Sequence, residues 1–178
     1  MSNCFVIFPK IGLHFIEGDA GAGNVVLTQC GSDIGPIAVR VDACQPHAGL
    51  AFTNCQLMAT VKVGPENLGP VKFSNCGFWP VSETGSQAIL QGKGTVIFES
   101  CHFSEWGIAD ENAPCIDVQG GAAIVQGCDF MLEGKTQVRV GSEAAGLAIT
   151  GCRLRGGQRF SIATEARDRV QAGFNLTE

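Results

Sequence analysis

Apolar and polar positions recur around a series of regularly spaced cysteines along the whole chain. In the copy around Cys76, a large apolar residue lies three positions before the cysteine, at Phe73, and another lies two positions after it, at Phe78. The copies are anchored, at intervals of 21 to 27 residues, by Cys4, Cys30, Cys55, Cys76, Cys101, Cys128 and Cys152, with Phe174 predicted to replace an eighth. Self-similarity at this period is typical of a solenoid, whose repeats bury their apolar faces by stacking on one another.

The residue before each anchor predicts a sharp bend in the backbone. Asn and Gly dominate this position, and both tolerate a positive φ; the residues are Asn3, Gln29, Asn54, Asn75, Ser100, Gly127, Gly151 and Gly173. An unbroken strand would send Phe73 and Cys76 to opposite faces, because side chains alternate along a strand. The pattern therefore predicts a strand, a bend and a second short strand, with the cysteine and both apolar residues facing inward.

A second alternation lies between the anchors and predicts a third strand. Val61, Lys62 and Val63 are followed by Gly64, and similar triplets occur in the other repeats. Short alternating runs that end at a glycine indicate strands that end in turns. We therefore predict an all-β, single-stranded, right-handed parallel β-helix with about eight short coils and three strands per coil, forming one domain over residues 1–178.

The bends at residues 53–57 and 74–78 resemble those of the pectin-lyase-like β-helix superfamily. In that superfamily a two-residue bend between the second and third strands carries a ladder of Asn side chains, and the likeness covers essentially the whole chain. It implies a saccharide groove on the outer face of the first strand, and hence binding or cleavage of a poly- or oligosaccharide. The Gly-His-Gly and Arg-Ile-Lys motifs of polygalacturonases are absent, and only Asp117 beside Arg139 resembles the acidic cluster of pectate lyases. No catalytic residue can be carried over from the family, because a fold does not specify a function.

The middle residue of each first-strand triplet should point outward and form one column on the surface. These residues are His14, Arg40, Lys62, Ile89, Asp117, Arg139 and Ser161. Arg40, Lys62 and Arg139 are candidate ligands for an anionic sugar such as a uronate, because guanidinium and ammonium groups bind carboxylates through charged hydrogen bonds. The alternative is a solvated surface on which Asp117 and Arg139 form a weak cross-strand pair.

The longest connections follow Phe78 and Phe103 and contain both tryptophans of the chain, Trp79 and Trp106. Long loops on a rigid scaffold often carry function, so we predict a groove on the first-strand face at coils four to six, counted from Cys4. Both tryptophans should lie beside this groove, either stacked on sugar rings or buried over the core. Glycosidases need two carboxylates about 5 to 10 Å apart. The same coils contain Glu83, Glu105, Asp110, Glu111 and Asp117, of which Asp117, Asp110 and Glu111 are the catalytic candidates.

Composition narrows the range of functions. The net charge of −5 argues against nucleic-acid binding, which needs a basic face. The sequence has no apolar run of 18 residues or more, so no membrane-spanning helix is predicted. The chain has no CxxC pair and no histidine at zinc-ligand spacing, so neither a metal nor a cofactor is expected. Cysteines one coil apart lie too far from each other for a disulfide, and we predict reduced thiols that fill the core.

A rival hypothesis is a non-catalytic structural β-helix, such as a segment of an adhesin or of a phage tailspike. The chain begins inside a coil, and the end of a β-helix is an unpaired sheet edge that natural proteins cover. A truncated solenoid of a larger protein is therefore expected, with end-to-end or side-by-side self-association. Exposed tryptophans beside converging carboxylates would favour the saccharide hypothesis instead.

Overall fold

In the part of the chain that the structure describes, twenty-two short strands are grouped in three parallel sheets and form a solenoid of about seven turns. The computed structural model describes residues 1–19, 21–81 and 84–178. The first-strand sheet contains β2 (Ile11–Phe15), β5 (Ile37–Val41), β8 (Thr60–Val63), β11 (Ala88–Leu90), β14 (Ile116–Val118), β17 (Val138–Val140) and β20 (Phe160–Ile162). The predicted all-β fold with three strands per coil is thus confirmed.

The other two sheets complete each coil. The second-strand sheet contains β3 (Val25–Thr28), β6 (Leu50–Thr53), β9 (Val71–Ser74), β12 (Thr95–Glu99), β15 (Ala122–Gln126), β18 (Gly146–Thr150) and β21 (Val170–Gly173). The third-strand sheet contains β1 (Phe5–Ile7), β4 (Gly31–Asp33), β7 (Gln56–Leu57), β10 (Gly77–Phe78), β13 (His102–Phe103), β16 (Asp129–Phe130), β19 (Arg153–Leu154) and β22 (Leu176–Thr177). A short 3-10 helix, Thr164–Arg169, precedes β21. Among the described residues the third-strand sheet has eight strands and the other two sheets have seven each, so about seven coils are complete, against the eight predicted.

The bend between the second and third strands has the predicted left-handed residue. Asn54 and Asn75 have φ values of 54° and 52°, and Asn75 Nδ2 donates a 2.7 Å hydrogen bond to Asn54 Oδ1. Ser100, Gly127 and Gly151 continue the left-handed position in the next three coils. The side-chain ladder therefore joins two rungs, while the backbone bend runs along the whole solenoid.

At the C-terminal end the predicted anchor was wrong by one residue. Thr150 pairs with Gly173, which places Phe174 (φ 57°) at the left-handed position instead of Gly173. Asn175 then occupies the cysteine position. Its Oδ1 accepts a 3.0 Å hydrogen bond from the Cys152 backbone N–H, much as the Cys152 Sγ accepts one from the Cys128 N–H. The amide side chain ends the column of thiols with an equivalent acceptor.

Two columns of stacked phenyl rings form the centre of the core. Phe52, Phe73 and Phe98 stack with ring centroids 4.7 and 5.4 Å apart. Phe78 stacks on Phe103 at 4.7 Å, and Phe103 on Phe130 at 4.9 Å. The columns meet edge to face, as between Phe98 and Phe103. Aromatic pairs favour both geometries, so the same contact repeats from coil to coil.

All nine cysteines are free thiols, as predicted, and eight of them are buried. The thiol of Cys76 contacts the carbonyl oxygens of Phe52 and Ser74 at 3.5 and 3.4 Å. Cys44 and Cys115, which lie outside the anchor column, are also buried, and burial raises the pKa of the Cys115 thiol. Cys4, at the end of the column, is the exposed one.

Candidate functional site

The outward column of the first-strand sheet is in register from His14 to Ser161, as the sequence predicted. His14 pairs with Arg40, and Arg40 with Lys62. Further along, Ile89 lies between Lys62 and Asp117, and Arg139 lies between Asp117 and Ser161. Successive rungs of a parallel sheet are about 4.8 Å apart, so neighbouring side chains of the column lie within reach of one ligand.

A cleft of about 460 Å³ opens on this face. We call it the first-strand cleft, and its walls are formed by Glu17, Arg40, Asp42, Lys62, Gly64, Pro65, Glu66 and Gln91. It lies along coils one to four, whereas the sequence predicted a groove at coils four to six. At coils five and six Asp117 and Arg139 form hydrogen bonds to each other. At coils one to three, residues that follow β2 and β8 form walls beside the outward column.

Asp42 is the most constrained carboxylate of the cleft. Its Oδ2 lies 2.6 Å from His14 Nε2, and its Oδ1 accepts a 2.7 Å hydrogen bond from Arg40 Nε. Burial opposes its ionisation, but the hydrogen bonds from Arg40 and His14 outweigh burial, and the pKa of Asp42 is lowered. Asp42 therefore holds Arg40 in place as a fixed cation on the wall of the cleft.

Lys62 is the unpaired cation of the cleft. It lies beside Arg40 in the register of the sheet, its side chain is exposed, and it takes part in none of the ion pairs found in the described part of the chain. Glu17 and Glu66 are exposed at the edge of the cleft and are likewise absent from those ion pairs. The sequence analysis did not identify either carboxylate as a site residue. Glu17 follows β2 and Glu66 follows β8, and this shared position after a first strand could have indicated that both lie beside the same face.

Asp117 and Arg139 form a bidentate ion pair with N–O distances of 2.9 and 2.7 Å. Gln119 Nε2 donates a third hydrogen bond to Asp117, whose side chain is only 4% exposed. The Asp117 carboxylate, followed by that of Asp110, raises the pKa of Arg139. With both oxygens engaged and almost no exposure, Asp117 has the environment of a structural ion pair.

Three of the other predicted carboxylates, those of Glu105, Asp110 and Glu111, lie in the connection between β13 and β14. Asp110 and Glu111 are exposed, and Asp110 Oδ1 accepts a 3.0 Å hydrogen bond from the backbone N–H of Asn112. Glu105 is exposed in the same connection. Glu83 lies outside the described residues.

The structure separates the two tryptophans, contrary to the prediction that both flank a first-strand groove. Trp106 is fully buried and packs edge to face on Phe130 with ring centroids 6.2 Å apart. The ring belongs to the hydrophobic core cluster, and the indole Nε1 has no hydrogen-bond partner among the described residues. Trp79 is half-buried and directly follows β10, so it lies on the outer side of the third-strand sheet.

Within residues 1–19, 21–81 and 84–178, no cluster of three or more His, Cys, Asp or Glu side chains could hold a metal ion. No helix in the described part of the chain has the length and hydropathy to cross a membrane.

Comparisons of the chain with protein-family models, with curated proteins and with solved structures found no match. What the structure shows is the architecture, a parallel β-solenoid.

Proposed function

We propose that the protein binds an acidic oligosaccharide, of the uronate class, in the first-strand cleft. The observation that supports this function is the pair of adjacent outward cations, Arg40 and Lys62, in the walls of this cleft. Arg40 is oriented by Asp42, whereas Lys62 has its charge free for a ligand. A guanidinium and an ammonium group one rung apart suit a ligand with repeated carboxylates.

The acidic residues of the cleft fit the rest of such a ligand. Sugar hydroxyls donate hydrogen bonds as well as accept them, and the carboxylates of Glu17 and Glu66 are acceptors at the edge. Asp42 already accepts hydrogen bonds from His14 and Arg40, so its oxygens are not free to act as a base or nucleophile. We therefore propose binding as the activity, with cleavage as a further outcome to assay.

The test is calorimetric titration of the protein with oligogalacturonate and with neutral hexasaccharides. We expect Lys62→Gln to lower the affinity for the uronate oligomer about tenfold, because a charged hydrogen bond contributes roughly 1.5 kcal/mol or more. Lys72→Gln is the matched control, because Lys72 is an exposed lysine on the second-strand sheet and undergoes the same change of charge. Equal loss in both variants, or no binding of any uronate oligomer, would refute the proposal.

A second candidate, the structural β-helix, is favoured by the apolar N-terminal end. Phe5, Ile7 and Phe8 are 51%, 57% and 74% exposed, and the first two belong to β1, the edge strand of its sheet. An exposed apolar patch beside an unpaired strand edge is typical of an interaction surface. We propose self-association through this end as the corresponding activity.

Light scattering coupled to size exclusion tests this second candidate. We expect a concentration-dependent rise in mass that disappears in the Phe5→Ser, Phe8→Ser double variant. Val81→Ser is the control, because Val81 is an exposed apolar residue outside the strands. A monomer at every concentration would contradict the proposed self-association.

A further inference from the structure

The third-strand sheet carries a second surface depression on a different side of the solenoid from the first-strand cleft. It measures about 620 Å³ and is wide and shallow. We call it the Trp79 platform, and its borders are Trp79, His102, Ser104, Asp129 and Met131. Apart from Trp79, none of these residues was singled out by the sequence pattern.

The Trp79 ring is held in one orientation. The indole Nε1 donates a 2.7 Å hydrogen bond to Gln56 Oε1 on the preceding coil. Gly77 makes room for this contact: a Cβ atom at Gly77 would lie 2.5 Å from Gln56 Oε1 and 2.9 Å from the His102 ring. With its polar atom satisfied by the protein, the ring offers the platform an apolar face.

The coils that follow Trp79 leave space beside this ring. The backbone N–H of Trp79 donates to Leu57 O, that of Ser104 to Phe78 O, and that of Met131 to Phe103 O, so the three residues occupy successive rungs. Ser104 is small, and Met131 is half-buried and apolar on the next rung. The result is an apolar wall and floor about two rungs long.

Polar groups surround this apolar surface without excess charge. His102 is exposed, and neither its side chain nor that of Ser104 makes a hydrogen bond within the described part of the chain. Asp129 pairs with Arg153 through two hydrogen bonds, which balances its charge. The platform thus combines a flat aromatic ring with hydrogen-bond donors and acceptors, and its border has no unpaired charge.

We propose that the Trp79 platform binds a neutral pyranose ring of a saccharide. The C–H face of such a ring is apolar and stacks on indole, while its hydroxyls exchange hydrogen bonds with His102, Ser104 and the Asp129 carboxylate. Nucleic acid also stacks on aromatic residues, but the border of the platform has no lysine or arginine that could hold its phosphates. This site lies on a different sheet from the first-strand cleft and does not depend on the uronate proposal.

Tryptophan fluorescence provides a direct test, because the chain has two tryptophans and the other, Trp106, is fully buried. Hexamers of glucose, xylose and mannose are the neutral probes, with oligogalacturonate as the charged comparison. We expect at least one neutral hexamer to produce a saturable change in the emission of the parent protein. The affinity measured by calorimetry should fall about tenfold in Trp79→Ala and in His102→Ala. Trp79→Phe should keep binding measured by calorimetry within about threefold, because a flat apolar ring remains, while its fluorescence response disappears.

Two further variants make the test decisive. Lys72→Gln, at an exposed lysine of the second-strand sheet outside both depressions, should leave binding of the neutral hexamer unchanged. His102→Ala removes an exposed side chain and serves if Trp79→Ala does not fold. No binding of any neutral hexamer, or binding that survives both Trp79→Ala and His102→Ala, would overturn the proposal.

Discussion

At the residue scale, the bend before each anchor selects side chains by backbone conformation. Asn54 and Asn75 adopt a left-handed φ and bond to each other, so their side chains stabilise the conformation that the bend requires. Ser100, at φ 53°, makes no such ladder bond, and a left-handed conformation costs a non-glycine residue roughly 1 to 2 kcal/mol. The next two coils have glycine at this position.

We predict that Ser100→Gly stabilises the protein by about 0.5 kcal/mol, because relief of backbone strain exceeds the greater entropy of glycine in the unfolded chain. Ser100→Val should destabilise it. The midpoint of urea unfolding measures both effects. Ser74→Gly is the control, since Ser74 ends a strand and bonds to Glu99, and it should lower the midpoint. A lower midpoint for Ser100→Gly would show that the left-handed Ser100 is not strained.

The Asp42 carboxylate predicts a pH-dependent contribution to stability. Its pKa is lowered in the folded protein, so the stabilisation is present above the ordinary Asp pKa of about 3.9 and is lost as the pH falls through the lowered value. Asp42→Asn should therefore be less stable than the parent at pH 6, and the difference should shrink below about pH 4. Urea unfolding at pH 3 to 7 measures it, and a constant difference over this range would contradict the prediction.

At the element scale, the strands of successive coils repeat the same side-chain contacts, and stacked phenyl rings stabilise the interfaces between coils. Phe103 is fully buried and stacks on Phe78 and Phe130. In a solenoid each repeat contacts only its neighbours, so a cavity in a central coil weakens the interfaces on both sides of it.

We predict that Phe103→Ala destabilises the protein by roughly 3 to 5 kcal/mol, the usual cost of removing a buried phenyl ring. Phe174→Ala is the matched control: Phe174 is 96% exposed, and its truncation should change stability by less than about 0.5 kcal/mol. Denaturant unfolding followed by circular dichroism measures both. Similar losses in the two variants would mean that the stacked column does not carry the stability of the core.

At the scale of the whole molecule, the solenoid has a column of cysteine thiols inside and three sheet faces outside. Eight of the nine thiols lie within, while the first-strand cleft and the Trp79 platform occupy different outer faces. The N-terminal end exposes apolar residues beside an edge strand. The proposed ligand sites lie on the sides of the solenoid and the proposed association surface lies at one end, so neither involves the buried core.

The thiols give a test of this arrangement. We predict that one cysteine of nine, the exposed Cys4, reacts rapidly with a thiol reagent in the native protein, and that all nine react in denaturant. Burial raises the pKa of Cys44 and of Cys115, which lowers their reactivity further because the thiolate is the nucleophile. Cys4→Ser should abolish the rapid phase. Rapid reaction of several thiols without denaturant would contradict the buried column.

The repeat made the fold predictable from the sequence alone. The positions of Phe73, Cys76 and Phe78, repeated at one period, determine which side chains face inward, and the middle residues of the triplets determine which face outward. In a parallel sheet that continues from coil to coil, these local choices fix the register as well. The exception was Phe174, where no cysteine remained to mark the bend and only strand pairing located it.

The candidate sites depended on the tertiary structure, because the repeat placed Arg40 and Lys62 on the outer face but did not constrain the connections that form the walls around them. The path of a connection decided that Trp106 is buried and that Trp79 stands on the third-strand sheet. The bond between Asp117 and Arg139 engages the carboxylate predicted to be catalytic, while turns after β2 and β8 place Glu17 and Glu66 beside Lys62. Sequence periodicity thus determined the inward and outward faces of each strand, whereas the irregular connections decided which outward residues share a ligand-sized space.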